Sequence, residues 1–256
     1  MKNKTGVLFG RLMKHILRSP DTIITVAITP IAMMLLFVYV FGGSLAGSIQ
    51  TSGGAEVSYV NYQLPGILLM AIASGISYTA FRIFGDTQKG LFARFNSMPI
   101  KHSSALWAHV LTSLVSNILT VLLIFLVALL MGFRSSAGIL EWLKVAGILT
   151  LFTLALTWLA VLPGLTAKTM EGATVFSYPL IFLPFISSAF VPTETMPTAV
   201  RIFAENQPVT SIVDTIRSLL NSQPVGNDVW VALAWCLAIL AISYIFAMKA
   251  YNRRAA

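Results

Sequence analysis

Residues 105–132 read ALWAHVLTSLVSNILTVLLIFLVALLMG and contain no Asp, Glu, Lys or Arg. An α-helix needs roughly 20 mostly apolar residues to cross the ~30 Å hydrocarbon core of a membrane. An ionised side chain at the centre of such a helix costs about 2.5–3.5 kcal/mol on insertion scales, so lipid selects against it. The stretch therefore predicts a helix that spans a membrane.

Similar apolar runs recur along the chain. The other predicted spans are residues 23–42, 60–81, 145–167, 174–191 and 229–248. The fifth span in chain order is short and contains Pro179 and Pro184, which membrane bundles tolerate. The composition agrees, since 57% of the residues are hydrophobic and only 10% are charged, against about 25% charged in soluble domains. We therefore predict an all-α polytopic membrane protein with six transmembrane helices in a single domain, residues 1–256.

Lysine and arginine fall mostly on one side of these spans. Of 17 such residues, all but Arg134, Lys144, Arg201 and Arg217 lie in the N-terminal arm, between spans two and three, between spans four and five, or in the tail. Because the cation-rich side of a membrane protein faces the cytoplasm, we predict that both termini are cytoplasmic. Topology and attraction to membrane lipid explain the net charge of +8, and no basic cluster with aromatic platforms indicates a nucleic-acid partner.

The N-terminal arm, residues 1–22, has the pattern of an amphipathic helix. At 100° per residue, Leu8, Leu12 and Ile16 share one half of the helix with other apolar residues. The cationic side chains of the other half are Arg11, Lys14 and Arg18. Such a helix is suited to the cytoplasmic membrane interface. It could be a membrane anchor, or a lever that joins a cytoplasmic partner to the first span.

The segment between spans two and three, FGDTQKGLFARFNSMPI at residues 84–100, predicts a short cytoplasmic helix. Asp86 is expected to begin the helix, where a carboxylate favours the positive end of the helix dipole, and Pro99 is expected to end it. Its apolar ridge consists of Leu91, Phe92, Phe95 and Met98. The helix could lie on lipid, or it could insert its ridge into a groove on a partner; the residues alone leave both interpretations open.

The segment 192–228 before the sixth span predicts two short helices outside the cytoplasm, either re-entrant or interfacial. Pro197 suits a first helical turn, and Ser211 with Asp214 matches a helix-capping pattern. Arg201 and Arg217 are expected to face polar headgroups. The remaining residues, 229–256, form the sixth span and a basic tail.

Several enzyme and transporter classes are excluded by missing motifs. The chain has no GxxxxGK[ST] phosphate loop, no HExxH, no Cys/His cluster and no GxSxG, so we expect no catalytic residues, no metal site and no cofactor on this chain. The three histidines, His15, His102 and His109, are isolated in sequence and are interpreted as polar surface or interface residues. No predicted span holds a carboxylate or lysine, which argues against a proton-coupled transporter or an ion channel.

Taken together, these motifs resemble the type-2 ABC exporter permeases, specifically the daunorubicin-resistance-type subfamily. The cytoplasmic stretch DTQKGLFARFNSMPI is similar to the coupling segment of that family. The positions that carry the similarity are Asp86, Gly90, Arg94, Phe95 and Pro99. Further stretches resemble the family in order and spacing: GFR after span three, LTAKTMEGA after span four, and ISSAFVPTETMP followed by ENQPVTSIVDTIRSLL. Asn96 is a departure, since relatives often carry Arg there.

The resemblance implies a permease subunit of an exporter in the bacterial plasma (inner) membrane. Two six-span permeases, as a homodimer or heterodimer, would pair with two copies of a separate ABC ATPase that carries the ATP and Mg²⁺. Closure of the ATPases would be transmitted through Asp86–Pro99. The cargo would be a hydrophobic drug, antibiotic or lipid-like molecule, bound by residues that the sequence does not identify. The alternative is a membrane scaffold or sensor subunit that does not transport.

Overall fold

The computed structural model describes residues 10, 21–42, 59–90 and 103–255. These residues form helices and, within the described ranges, no β-strand. The α-helices, in chain order, are α1 (Asp21–Leu35), α2 (Tyr59–Gln88), α3 (Ser103–Leu130), α4 (Ile139–Thr166), α5 (Met170–Thr174), α6 (Ser177–Phe182), α7 (Thr198–Asn206), α8 (Pro208–Leu220) and α9 (Asp228–Ala255). The prediction of an all-α chain is confirmed for the described residues.

Within the part of the chain that the structure describes, four helices are long and apolar enough to cross a membrane: Tyr59–Gln88, Leu106–Leu130, Ile139–Thr166 and Asp228–Arg253. They contain most or all of the second, third, fourth and sixth predicted spans. Helix α2 continues seven residues beyond the predicted boundary at Phe81, to Gln88. Hydropathy locates the part of a helix that suits lipid, whereas the helix itself continues wherever polar residues can be solvated or paired.

The first and fifth predicted spans correspond to shorter apolar segments, Ile24–Val40 and Met170–Ile186. In the first, α1 is followed by a turn of π-helix, Leu36–Val40, in which the Phe41 amide donates to the Leu36 carbonyl at 3.3 Å. The second is not one continuous helix. It consists of α5, α6 and a 3₁₀ turn, Leu183–Ile186, because prolines within the segment cannot donate backbone hydrogen bonds.

Helix α2 lies at the centre of the bundle. Within its most apolar window 67% of the residues are buried, compared with 22% for α9 at the periphery. Close approaches to α2 occur where a side chain is missing: a Cβ added at Gly66 would lie 2.5 Å from the Ala189 Cβ, and one at Gly164 of α4 would lie 3.0 Å from the Ala80 carbonyl oxygen. Small residues allow membrane helices to pack at such short range.

The two short helices predicted in 192–228 are present as α7 and α8. The predicted cap of the second is wrong, however. Pro208 occupies its first turn and Gln207 precedes it, so that Ser211 is already inside the helix and buried. Proline is favourable in a first turn because its missing N–H would have no intrahelical partner there.

Among the described residues, buried apolar side chains form a large cluster along the bundle and a smaller one that includes Ile83, besides the pair Tyr59 and Tyr62. We name the ends of the bundle after the ends of α2. The Tyr59 end also contains the end of α3, the start of α4 and the helix α8. The Gln88 end contains the start of α3, the end of α4 and the smaller cluster, in which Ile83 and Leu106 pack with Trp158 and Tyr251.

Candidate functional site

The predicted coupling residues lie at the Gln88 end, and the structure describes two of them. Asp86 and Gly90 are within the described residues. The other predicted coupling residues lie outside the described ranges, namely Leu91, Phe92, Arg94, Phe95 and Pro99. The predicted cations of the interfacial helix, Arg11, Lys14 and Arg18, also lie outside them.

The structure corrects the prediction that Asp86 begins a helix. Asp86 lies in the last turn of α2, which continues to Gln88. A carboxylate there meets the negative end of the helix dipole, which is unfavourable by itself. Two groups compensate: the Asp86 Oδ2 atom lies 3.1 Å from His109 Nε2, and the positive charge of Arg82, one turn earlier, interacts with the carboxylate.

Gly90 ends α2. Its φ angle is +65°, in the left-handed region. The Lys89 amide donates to the Gly85 carbonyl and the Gly90 amide donates to the Thr87 carbonyl, each at 3.1 Å. Glycine adopts this conformation without the steric penalty of a Cβ. The glycine in the predicted coupling segment therefore sets the direction in which the chain leaves the bundle.

His109 is a site residue that the sequence did not reveal. The sequence predicts an isolated polar surface or interface residue, yet its side chain is only 5% exposed and contacts Asp86. The two residues are separated by the whole 87–108 segment in sequence. A spacing rule within one helix cannot detect such a pair. The available signal is a histidine in a span with no Asp, Glu, Lys or Arg, because a buried polar residue usually has a partner.

A second polar centre lies at the Tyr59 end around Arg217. Its guanidinium donates to the Tyr62 carbonyl at 3.1 Å and 3.2 Å, to the Ser188 carbonyl at 2.7 Å and to the Asp214 carboxylate at 2.6 Å. It also lies over the Tyr62 ring, with Cζ 3.8 Å from the centroid. The prediction that Arg217 faces headgroups is wrong, since its side chain is 16% exposed. By contrast, Arg201 is partly exposed and pairs with Glu205.

Asp214 completes this centre. It accepts a hydrogen bond from the Ser188 hydroxyl at 2.6 Å as well as from Arg217. Burial raises the pKa of Asp214, and the positive charge of Arg217 opposes that shift. Asp214 thus holds Arg217 in an orientation that reaches the backbone of two other chain segments.

The turn between α3 and α4 adds further links at the Tyr59 end. Asn61 bonds both backbone groups of Arg134, donating to its carbonyl at 2.6 Å and accepting from its amide at 3.2 Å. The Ser135 hydroxyl donates to the Leu220 carbonyl at the end of α8. These bonds connect α2, the α3–α4 turn and α8.

Between the two ends, neutral groups make the polar contacts seen among the described residues. The hydroxyls of Thr79 and Ser113 join α2 to α3, and the Ser77 hydroxyl donates to that of Ser177. Within the described residues, no group of three or more His, Cys, Asp and Glu could hold a metal ion. This part of the bundle can pack helices and accept neutral hydrogen-bonding groups.

Apolar grooves open on the surface that the described residues form, and two of them are well defined. One, of about 350 Å³, lies between α3 and α4 and includes Phe125, Phe133 and Trp142. The other, of about 390 Å³, is bordered by Trp107, Trp158 and Tyr244 near the Gln88 end. Both are lined almost entirely by apolar side chains, so they suit hydrophobic molecules or lipid chains.

Known proteins resemble this chain over nearly its full length. It is 25% identical over 248 residues to the daunorubicin resistance ABC transporter permease protein DrrB1 of Streptomyces coeruleorubidus, covering 95% of this chain and 84% of that protein. It is 24% identical over 247 residues to the probable doxorubicin resistance ABC transporter permease protein DrrC of Mycobacterium tuberculosis, covering 95% and 86%. Residues 3–221 match the family described as the ABC-2 type transporter. The chain therefore belongs to the ABC-2 type transporter family.

Proposed function

We propose that this chain is the membrane-spanning permease subunit of an ATP-driven exporter of hydrophobic compounds. The observation that carries the proposal is the family match over residues 3–221, together with two relatives named as drug-resistance permeases that align with 95% of the chain. The missing phosphate loop supports a separate ABC ATPase as the site of ATP hydrolysis. Two ATPase copies and a second permease, identical or different, would complete the assembly.

The proposed topology has six spans and both termini in the cytoplasm of a bacterial cell. Four spans correspond to the long apolar helices, and the shorter segments Ile24–Val40 and Met170–Ile186 would supply the first and fifth. The cationic asymmetry of the sequence supports a cytoplasmic Gln88 end. On this topology α7 and α8 lie at the outer face, and the amphipathic residues 1–22 lie at the inner interface.

This topology is testable by cysteine labelling. In a Cys236→Ser background, cysteines that replace Ser52 or Gln223 should react with a membrane-impermeant maleimide added to intact cells. A cysteine that replaces Ser103 should react only after the membrane is permeabilised. External labelling at Ser103 without labelling at the other two positions would invert the proposed orientation.

The proposed cargo is a hydrophobic drug, antibiotic or lipid-like molecule. The names of the relatives support a drug, and the apolar grooves and neutral intramembrane polar groups support an uncharged or weakly polar passage. An ionised residue in the passage would be expected if protons or ions drove transport. The energy would instead reach the spans through the segment that begins at Asp86 and ends at Pro99.

The decisive experiment is ATP-driven transport by the permease reconstituted in vesicles with its partner ATPase. Accumulation of a fluorescent anthracycline should require ATP and an ATPase with an intact phosphate loop. Transport should persist when an ionophore dissipates the proton gradient while ATP is held constant. Transport that stops with the gradient would favour a secondary transporter, and binding of the ATPase without any transport would favour the scaffold or sensor alternative.

A further inference from the structure

We infer that the groove between α3 and α4 binds one acyl chain of an anionic phospholipid, and that Arg134 binds the phosphate of its headgroup. The inference concerns a lipid that the protein holds on its surface, so it goes beyond the proposed transport of a cargo. It also gives a role to the stretch GFR, residues 132–134, which the proposed function leaves unused.

The turn that ends α3 places Arg134 at the rim of the groove. Gly132 has a φ angle of +95°, in the left-handed region that glycine adopts without strain. The chain folds back there, and the Phe133 amide donates to the Ala128 carbonyl at 2.9 Å. Phe133 is thereby buried, and its side chain lines the groove. Arg134 is the next residue, so a cation lies beside the groove.

The backbone of Arg134 is held in place while its side chain is exposed. Asn61 of α2 bonds both backbone groups of Arg134. The Arg134 Nη1 atom donates to the Phe133 carbonyl at 2.9 Å, which keeps the guanidinium close to the groove. Arg134 forms no ion pair with a carboxylate of the described residues. Its remaining N–H groups suit a phosphate, because a guanidinium binds phosphate oxygens through parallel hydrogen bonds.

The groove is about as long as one membrane leaflet is thick. Its lining extends from Ile118 to Leu129 on α3 and from Trp142 to Thr153 on α4. At 1.5 Å per residue each stretch covers about 16 Å, close to half of the ~30 Å hydrocarbon core. An acyl chain that lies along the groove therefore ends near the middle of the membrane when its headgroup is level with Arg134.

The groove opens sideways, in the direction of the lipid. Leu122 and Leu129 of its lining are more than half exposed, and only 33% of the most apolar window of α3 is buried. Trp142 borders the groove in the first turn of α4, and tryptophan favours the level of the lipid headgroups. An apolar wall with a cation and an indole at one end matches an amphiphile with one anionic end. An uncharged cargo has no group that would need Arg134.

Tryptophan fluorescence tests this site, because bromine atoms on an acyl chain quench an indole only at short range. The chain is reconstituted in phosphatidylcholine vesicles that contain a minor fraction of brominated phosphatidylglycerol or of brominated phosphatidylcholine. The contribution of Trp142 is the difference between the wild type and Trp142→Phe. We expect phosphatidylglycerol to compete about fivefold better for the site, as for one arginine near anionic lipid.

Trp230 provides the control for lipid that merely surrounds the chain. It is 69% exposed at the start of α9 and lines neither groove. Its contribution, taken from Trp230→Phe in the same way, should be quenched equally by the two brominated lipids. An equal preference for phosphatidylglycerol at Trp142 and Trp230 would reflect general attraction to a cationic protein and would overturn the inference.

The headgroup contact is tested by replacing the cation. Arg134→Gln should abolish the preference of the Trp142 site for phosphatidylglycerol, whereas Arg134→Lys should keep most of it because the charge remains. Arg201→Gln is the matched control, since Arg201 is also exposed but pairs with Glu205 in α7; the preference should persist there. If Arg134→Gln keeps the preference, or Arg201→Gln removes it, Arg134 does not bind the headgroup.

The acyl chain is tested by filling the groove. Ala146 lines it, whereas an added Cβ at the neighbouring Gly147 has nothing within 4 Å. Ala146→Phe should at least halve the quenching of Trp142 by either lipid, and Gly147→Phe should leave it unchanged. Undiminished quenching in Ala146→Phe would show that no acyl chain lies in the groove. If neither lipid quenches Trp142 in the wild type, a second chain covers the groove and the inference is wrong.

Discussion

The two ends of the bundle are joined in different ways. At the Tyr59 end, the side chain of Arg217 bonds the backbone carbonyls of Tyr62 and Ser188 as well as Asp214. At the Gln88 end, the bond that links α2 to α3 connects two side chains, Asp86 and His109. One side chain at the Tyr59 end thus joins three parts of the chain, whereas the Asp86–His109 contact joins two helices. We therefore expect the loss of Arg217 to lower the stability of the bundle more than the loss of the contact at the Gln88 end.

The largest loss of stability is expected from Arg217→Met, which tests the role of Arg217 at the Tyr59 end. The change leaves two shielded carbonyls without their donor and Asp214 without its cation, at a cost of about 3 kcal/mol. We expect a marked fall in the thermal unfolding midpoint, measured for the detergent-solubilised chain. Arg217→Lys should lower the unfolding midpoint less than Arg217→Met but still below that of the wild type, because an ammonium group cannot reproduce the planar array of donors. An unchanged midpoint for Arg217→Met would show that the Tyr59 end is not held by this residue.

A smaller loss of stability is expected from Gly66→Ala, which tests how tightly the Tyr59 end is packed. The new methyl group would meet the Ala189 Cβ at 2.5 Å, and neither atom belongs to a flexible side chain. Overpacking of this kind costs about 1–3 kcal/mol. The control is Gly147→Ala in α4, where an added Cβ has nothing within 4 Å; there the unfolding midpoint should stay the same or rise.

At the Gln88 end, we expect Asp86→Asn to change stability by only about 1 kcal/mol or less. The variant loses charge assistance in the contact with His109 and the attraction to Arg82. It also removes a carboxylate from the negative end of the α2 dipole, which opposes these losses. Substrate transported per ATP should nevertheless fall. A loss of stability as large as that of Arg217→Met would abolish the distinction between the two ends.

The smallest effect on stability is expected from Phe95→Asp, which lies outside the described residues. If the apolar ridge inserts into the ATPase, a charge there would enter a buried contact and weaken binding by several kcal/mol. Co-purification of the ATPase should be lost while the unfolding midpoint of the permease is unchanged. Full retention of the ATPase and of coupling would support a segment that only lies on lipid.

Some elements were predictable because one local property decides them. The apolar runs of α2, α3, α4 and α9 are long enough to cross a membrane, and each run lies within one continuous helix. The short helices α7 and α8 follow from turn-forming prolines and apolar periodicity. In contrast, a Ser–x–x–Asp pattern at residues 211–214 matched a cap and was wrong, since Pro208 had already begun α8.

The sequence by itself determined the helical class, the long apolar helices and the family resemblance, because each depends on composition, on hydropathy over about 20 residues or on local motifs. Only the tertiary structure decided that Asp86, in the last turn of α2, lies beside His109 and that Arg217 is turned inward to the backbone of Tyr62 and Ser188. Each of these contacts joins residues from different segments of the chain. Such a contact depends on how helices pack and rotate against one another, which the pattern along one helix does not specify.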